Sequence, residues 1–193
     1  MKKIIVTAVL LFLSLTALLG IIYPLLIWGL GHLFFRNQAE GSLVGKDGDI
    51  VGSRLIAQPF TGSRYFHPRP SASDYNASAS GGSNLAPSNL ALIAAVRRRI
   101  GEAKKDDPAP IPPDMVQASA SGLDPDISVA AALWQAPRVA RARGIDEATM
   151  FVIIDRHMEQ SFLGFIGEPR VNVLHLNLYL DERYGQGDIN ERE

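Results

Sequence analysis

The sequence predicts an α+β protein, in which a single N-terminal transmembrane helix precedes one extracytoplasmic mixed α/β domain. Three observations predict it. Residues 4–35 contain no Asp, Glu, Lys or Arg, a run of 32 residues, where about 20 helical residues cross a hydrocarbon core of roughly 30 Å. Lys2 and Lys3 stand on the short side of that run, and cationic flanks are retained in the cytoplasm, so residues 36–193 belong in a periplasm-like space. Those 158 residues alternate helical periodicity with short extended stretches and suffice for one domain with its own core. The expected division is an anchor over 1–35, with its N-terminus cytoplasmic, and an outer domain over 36–193.

The anchor reads as retained, not cleaved. A secretory signal carries about 7–15 apolar residues before a small-residue cleavage site. Here the small-residue stretch 14–17 is followed by a second apolar block, 18–28, which cleavage would leave as a greasy terminus. Pro24 removes a hydrogen bond to the carbonyl of Gly20 and predicts a kink. Thr16 and Gly20 form a small-xxx-small pair that admits a second helix at close range, although a lone anchor explains the same residues. Tyr23 and Trp28 suit a membrane interface.

Along the outer domain, residues 49–58 read as a strand, with a short apolar stretch at 64–66. Residues 68–87 are dense in Ser, Gly, Asn and Pro, which is loop chemistry of a length usually tied to function. From Ser88, a candidate cap, apolar residues recur at helical spacing and cations load the C-terminal half. Residues 108–113 are a stiff connector, 115–118 a short strand and 119–125 a loop. A helix is expected over 127–143, broken or kinked at Pro137 and ended by Gly144. Asp146 caps a helix over 147–159, a turn follows at 164–169, 171–174 form a strand, and 176–180 a strand or a short final helix.

Composition removes several classes of function. All 20 acidic residues and 17 of the 19 basic ones lie beyond residue 35, so the outer domain is mildly acidic and suits no nucleic acid. The chain has no cysteine, which excludes disulfides, thiol catalysis and zinc-thiolate sites. His32, His67, His157 and His175 share no metal-ligand spacing. No G-x-S-x-G elbow supports a serine hydrolase, so no catalytic or metal residue is assigned. Ser80, Gly81, Gly82, Ser83 and Asn84 can present backbone N–H groups to an anion ahead of a helix, as a tight turn also would. No P-loop accompanies them.

In order, the motifs Gly52-Ser53-Arg54-Leu55-Ile56-Ala57-Gln58-Pro59-Phe60, Tyr65-Phe66 and Arg69-Pro70-Ser71-Ala72-Ser73-Asp74-Tyr75 are followed by SGGSNLAPSN from Ser80. Pro113-Asp114-Met115-Val116, Ala118-Ser119-Ala120-Ser121-Gly122-Leu123-Asp124-Pro125, Gln135, Arg138-Val139-Ala140, Arg143-Gly144 and Val171-Asn172-Val173-Leu174 with Leu176-Asn177 complete the series. This series closely resembles the C subunit of the Kdp potassium-transporting P-type ATPase, KdpC, over essentially the whole chain. Ala57 and Ala120 depart from an expected glycine, and Asp126 from a frequent histidine. The resemblance implies a non-catalytic subunit of an ATP-driven potassium importer in the cell inner membrane. Its partners would be a P-type ATPase subunit, a potassium-channel-like subunit and a small single-span subunit. ATP is then used by the complex, and no cofactor is assigned to this chain. The resemblance also brings an alternative, a catalytic chaperone raising the pump subunit's ATP affinity through a nucleotide contact at Ser80–Asn84. The topology argument opposes it, because cytoplasmic ATP lies across the membrane. Partner contacts are expected at Thr16 and Gly20 in the anchor. In the loops 65–89 and 119–128 they are expected at Arg69, Asp74, Asn84 and Asp124, since loops on a rigid scaffold commonly carry binding. Asn84 and Asp124 could instead hydrogen-bond their own backbones.

Overall fold

In the computed structural model, described for residues 1–46, 48–106 and 109–185, two compact units appear, Met1–Val51 and a second from Gly52 onward. Pro108, the start of the predicted connector, and residues 186–193 of the predicted domain lie outside the described residues.

The first unit is dominated by one helical run, Lys2–Phe34, of 33 residues, long and apolar enough to cross a membrane. At about 1.5 Å per residue it is roughly 50 Å long. It comprises α1 (Lys2–Ala17), a π-helical turn (Leu18–Ile22) and α2 (Tyr23–Phe34). Where Pro24 predicts a kink, the structure holds this π turn. With no N–H on Pro24 to bind Gly20, the ladder shifts register, and the Tyr23 N–H reaches back to the Leu18 carbonyl. A short α3 (Arg36–Ala39) and a two-stranded ladder of β1 (Leu43–Lys46) and β2 (Asp49–Ser53) follow. The strand expected over 49–58 therefore stops at Ser53. There the Ser53 hydroxyl accepts the Leu55 N–H and the chain turns back to bridge Ile56.

Among the described residues, the second unit holds four α-helices and a three-stranded antiparallel sheet. The helices are α4 (Leu90–Asp106), α5 (Val129–Arg143), α6 (Glu147–His157) and α7 (Val173–Tyr184). The strands β3 (Asp126–Ser128), β4 (Met158–Glu159) and β5 (Arg170–Asn172) run in the order β3-β5-β4, with Ile127 and Met158 both opposite Val171. Phe66, Ile127, Val139, Met150, Ile154, Val171, Leu176 and Leu180 form the core, with Ala131, Ala132, Ala136 and Ala140 of α5. Those alanines lie at helical spacing and carry almost no volume, so neighbouring elements approach α5 closely.

Local chemistry explains most boundaries. Ser128, Asp146 and Asn172 cap α5, α6 and α7, each side chain accepting an N–H three residues on. Gly144 ends α5 at φ 67°, the left-handed C′ geometry expected of it. Other expectations shift, among them the starts and ends of two helices, since 127–128 and 158–159 are strand. The cap of α4 is Asn89, whose side chain accepts the Ala91 N–H, in place of Ser88. Residues 115–118 form no strand; Pro113 starts a 3₁₀ turn (Pro113–Met115) and its carbonyl accepts the Gln117 N–H. α5 runs through Pro137 unbroken; Leu133, whose carbonyl loses its partner, is 41% exposed, so water can serve it. The strand expected at 171–174 ends at Asn172, because that side chain caps α7 and commits 173–184 to helix.

Candidate functional site

The functional candidates of the second unit are loops, and the core fixes them through buried polar side chains. Two primary amides grip the segment that begins the long loop. Asn177 of α7 accepts the Phe66 N–H at 2.8 Å and donates to the Phe66 carbonyl at 2.9 Å. Gln135 of α5 does the same for His67, at 2.8 and 3.1 Å. Each amide offers a donor and an acceptor side by side, as a neighbouring strand would. Beneath them Arg143 and Asp181 form a buried ion pair at 2.9 Å, with side-chain exposures of 0% and 3%. The Arg143 guanidinium also donates to the Arg64 carbonyl and lies 5.1 Å from the Tyr65 ring centroid. The Tyr65 hydroxyl reaches Asp181. The chain from Arg64 to His67 is thus held at every residue.

The loops 65–89 and 119–128 then join to each other. Ser71 is the hub: its hydroxyl donates to the Gly122 carbonyl at 2.7 Å and accepts the Ser73 and Tyr75 N–H groups. The Ser119 N–H donates to the Pro70 carbonyl, and the Tyr75 hydroxyl to the Arg69 carbonyl. Gly122, at φ 68°, sits so close to Ser73 and Gly81 that a Cβ would collide with both. Burial pushes the Tyr75 phenol up, an effect that nearby Arg99 opposes.

The structure pairs two of the four predicted polar contacts with each other. Arg69 and Asp124 form an ion pair at 2.9 Å, each about a quarter exposed. Asp124 also accepts the Asp126 N–H, an Asx turn within its own loop. Asp74 and Asn84 are exposed and adopt φ 51° and 52°, a region that asparagine and aspartate tolerate better than most residues. In the Ser80–Asn84 stretch the Ser80 hydroxyl and the Gly81 N–H both donate to the Ser121 carbonyl, at 3.0 and 2.7 Å. A Cβ on Gly82 would stand 2.9 Å from the Ala120 carbonyl oxygen. These groups form a loop-to-loop seam. Ser83 is exposed. In the first unit Thr16 and Gly20 share one face of the helix, with the Thr16 methyl 3.9 Å from where a Gly20 Cβ would be.

Two concavities border the seam. One, of about 610 Å³, lies between Arg98, Arg99 and Lys105 of α4 and Trp134 and Arg138 of α5, with Phe60 and Tyr75 among its walls. Arg99 and Arg138 donate to the Val116 and Ser63 carbonyls. The other, of about 470 Å³, is lined by Asp114, Asp124, Asp126 and Glu168 with Arg69 and Arg170. Burial pushes the Asp126 carboxyl up, against the Asn172 hydrogen bond and the Arg170 guanidinium. Among the described residues no group of three or more His, Asp or Glu is arranged to hold a metal ion.

An anchor-like helix followed by polar loops clamped onto an α/β core accommodates the motif series above, and comparison with known proteins decides what the series means. Residues 5–182 match the family described as K⁺-transporting ATPase, c chain. The chain belongs to the KdpC family. A protein of Methylibium petroleiphilum named potassium-transporting ATPase KdpC subunit is 55% identical over 189 residues, covering 95% of this chain and 99% of that protein. One of Herminiimonas arsenicoxydans with the same name is 53% identical, covering 95% and 100%. One of Koribacter versatilis is 49% identical, covering 94% and 95%. The KdpC match takes in the helix and the α/β core together.

In the sequence of this KdpC chain, Gln135, Arg143 and Asn177 stand out only as members of the motif series, and Asp181 lies outside it. A signal for their role was present. Asn177 and Asp181 are one turn apart, beside Leu176 and Leu180, and polar residues at a buried helical spacing call for buried partners. The turn expected at 164–169 overlaps an exposed apolar loop at 162–166.

Proposed function

We propose that the chain is a non-catalytic accessory subunit of a high-affinity, ATP-driven potassium import complex. In this reading it is a single-pass protein of the cell inner membrane with its α/β domain on the periplasmic side. It supports assembly and activity of the ATP-hydrolysing and potassium-channel-like subunits, and a small single-span subunit completes the complex. The observation that carries the reading is the family match across residues 5–182, anchor and domain alike. The two lysines before an uncharged run support the orientation. Seating the helix against another subunit's helix is the task of Thr16 and Gly20. Asp74 and Asn84 are exposed on the first of the two loops, and Arg69 and Asp124 pair across them.

The alternative, a nucleotide contact at Ser80–Asn84, requires Ser80 and Gly81 to exchange their bonds to Ser121 for bonds to phosphate. Protection of the purified full chain by ATP would support it.

Co-purification and growth at micromolar potassium test the main reading. Gly20→Leu is expected to weaken recovery of the partner subunits, and alanine at Arg69, Asp74, Asn84 and Asp124 together to impair assembly or potassium-limited growth. Wild-type behaviour in the first would reduce the helix to a tether. In the second it would remove the loops from the interface.

A further inference from the structure

The larger concavity of the second unit collects cations in a domain that is mildly acidic. Arg98, Arg99 and Lys105 of α4 and Arg138 of α5 line it, and Glu102 is the one carboxylate among its described lining residues. Like charges gathered around one hollow repel each other unless something carries the counter-charge. Glu102 supplies little of it: it stands 3.9 Å from Arg98, with side chains 63% and 70% exposed. The helix macrodipole accounts for Lys105 in the last turn of α4, but not for Arg98 and Arg99 near the middle of that helix.

Trp134 adds an independent observation. It lines the same concavity, and its indole N–H is buried with no acceptor among the described residues. A buried donor left without an acceptor is costly, and an ion bound beside it is one of the ordinary explanations. We propose that this concavity binds a phosphate ester, a phosphate-class oxyanion carried on a small organic body. Such an anion answers both observations, because its charge balances the cations and its several oxygens accept from more than one wall at once. Arg99 spends one donor on the Val116 carbonyl at 3.1 Å, and a guanidinium offers five. Arg138 is held by the Ser63 carbonyl and the Gln135 side chain, so it contributes a fixed positive charge.

The remaining walls specify the body of the ligand. Pro59, Phe60, Pro68 and Tyr75 line the concavity beside the cations, and its volume of about 610 Å³ lies in the usual range of small-molecule sites, roughly 300–1,000 Å³. A bare oxyanion fills only a small part of that space, and the apolar walls favour an organic substituent. A carboxylate side chain brings two oxygens and a single charge, so an acidic peptide satisfies fewer of these donors. The lining residues all belong to the second unit.

The chain has two tryptophans, so its nitrogen NMR spectrum carries two indole N–H signals, and Trp28 in the N-terminal helix serves as the internal reference. The labelled full chain in detergent micelles is titrated with phenyl phosphate and separately with inorganic phosphate, each against potassium chloride at matched ionic strength. Binding predicts a saturable movement of the Trp134 signal alone, with phenyl phosphate held more tightly than inorganic phosphate. Arg99→Gln should weaken that binding about tenfold, the worth of one charge-assisted hydrogen bond. Lys105→Gln, at an exposed position, should weaken it severalfold without lowering the melting temperature, so a folding defect in the first variant would not decide the matter. No saturable movement with either probe, or the same movement in chloride, would overturn the proposal. So would unchanged affinity in both variants, which would reduce the cations to a solvated helix face. Tighter binding of inorganic phosphate than of phenyl phosphate would overturn the assignment of an organic ester.

Discussion

The two loop regions of the α/β unit use opposite chemistry. Residues 68–87 are polar and irregular, yet Ser71, Ser73, Tyr75, Ser80 and Gly81 are bound to Arg69, Gly122 and Ser121. Residues 160–169 are shorter and apolar, and their large side chains are uncovered. The polar loop is thus largely an internal structure and the apolar one an outward surface. Polarity alone does not say which loop is available to a partner; the fate of each donor and acceptor does.

That contrast can be broken at its foundation first. Asp181→Ala removes the partner of a fully buried guanidinium, and such losses cost about 3–5 kcal/mol. We expect the largest fall in melting temperature of any single change here, because Arg143 also holds Arg64 and Tyr65. A shift of only a degree or two would mean that the 64–67 segment is not anchored from beneath. Asn177→Ala leaves the Phe66 N–H and carbonyl unpaired in the core, at about 1–3 kcal/mol. Proteolysis of the following loop should accelerate with it; unchanged cleavage would show that Gln135 alone suffices.

On the other side of the comparison, Phe165→Ser touches no core residue and should leave stability within about 0.5 kcal/mol, as exposed positions do. A larger loss in thermal denaturation would place Phe165 inside the fold and dissolve the contrast. The smallest effect is a pH dependence. Burial, helped by Arg54, lowers the His175 pKa in the folded state, with Glu159 opposing. The unfolded chain then takes up the proton more readily, so this group's contribution is present above the ordinary histidine value of about 6.5 and is lost as pH falls below it. His175→Gln should flatten the fall in melting temperature between about pH 7 and pH 5. An identical pH profile in the variant would assign the slope to other groups.

Legibility in the sequence followed the range of the interaction. The Asp146 cap and the Gly144 terminus are local and readable from a few residues, whereas Pro24 predicts a kink and the structure holds a π-helical turn there. The strand expected at 115–118 failed because Pro113 and its carbonyl wind the chain into a turn, and the strand at 171–174 because a cap at Asn172 outranks apolar alternation. The clamps by Gln135 and Asn177 span 68 and 111 residues of sequence. No local pattern reveals such partners, although the polar spacing on α7 shows that some are required. Motif order revealed the family, while the pairing of Arg69 with Asp124, two residues separately expected to face partners, needed coordinates.

In the proposed orientation, the α/β unit of this KdpC-family subunit works on the side of the membrane away from ATP. A single cysteine at Ser78, in a chain with no other, reports this directly. That orientation predicts reaction with a membrane-impermeant thiol reagent in intact cells whose outer membrane admits it. Labelling only after the inner membrane is opened would contradict the orientation and return the Ser80–Asn84 loop to the nucleotide's compartment.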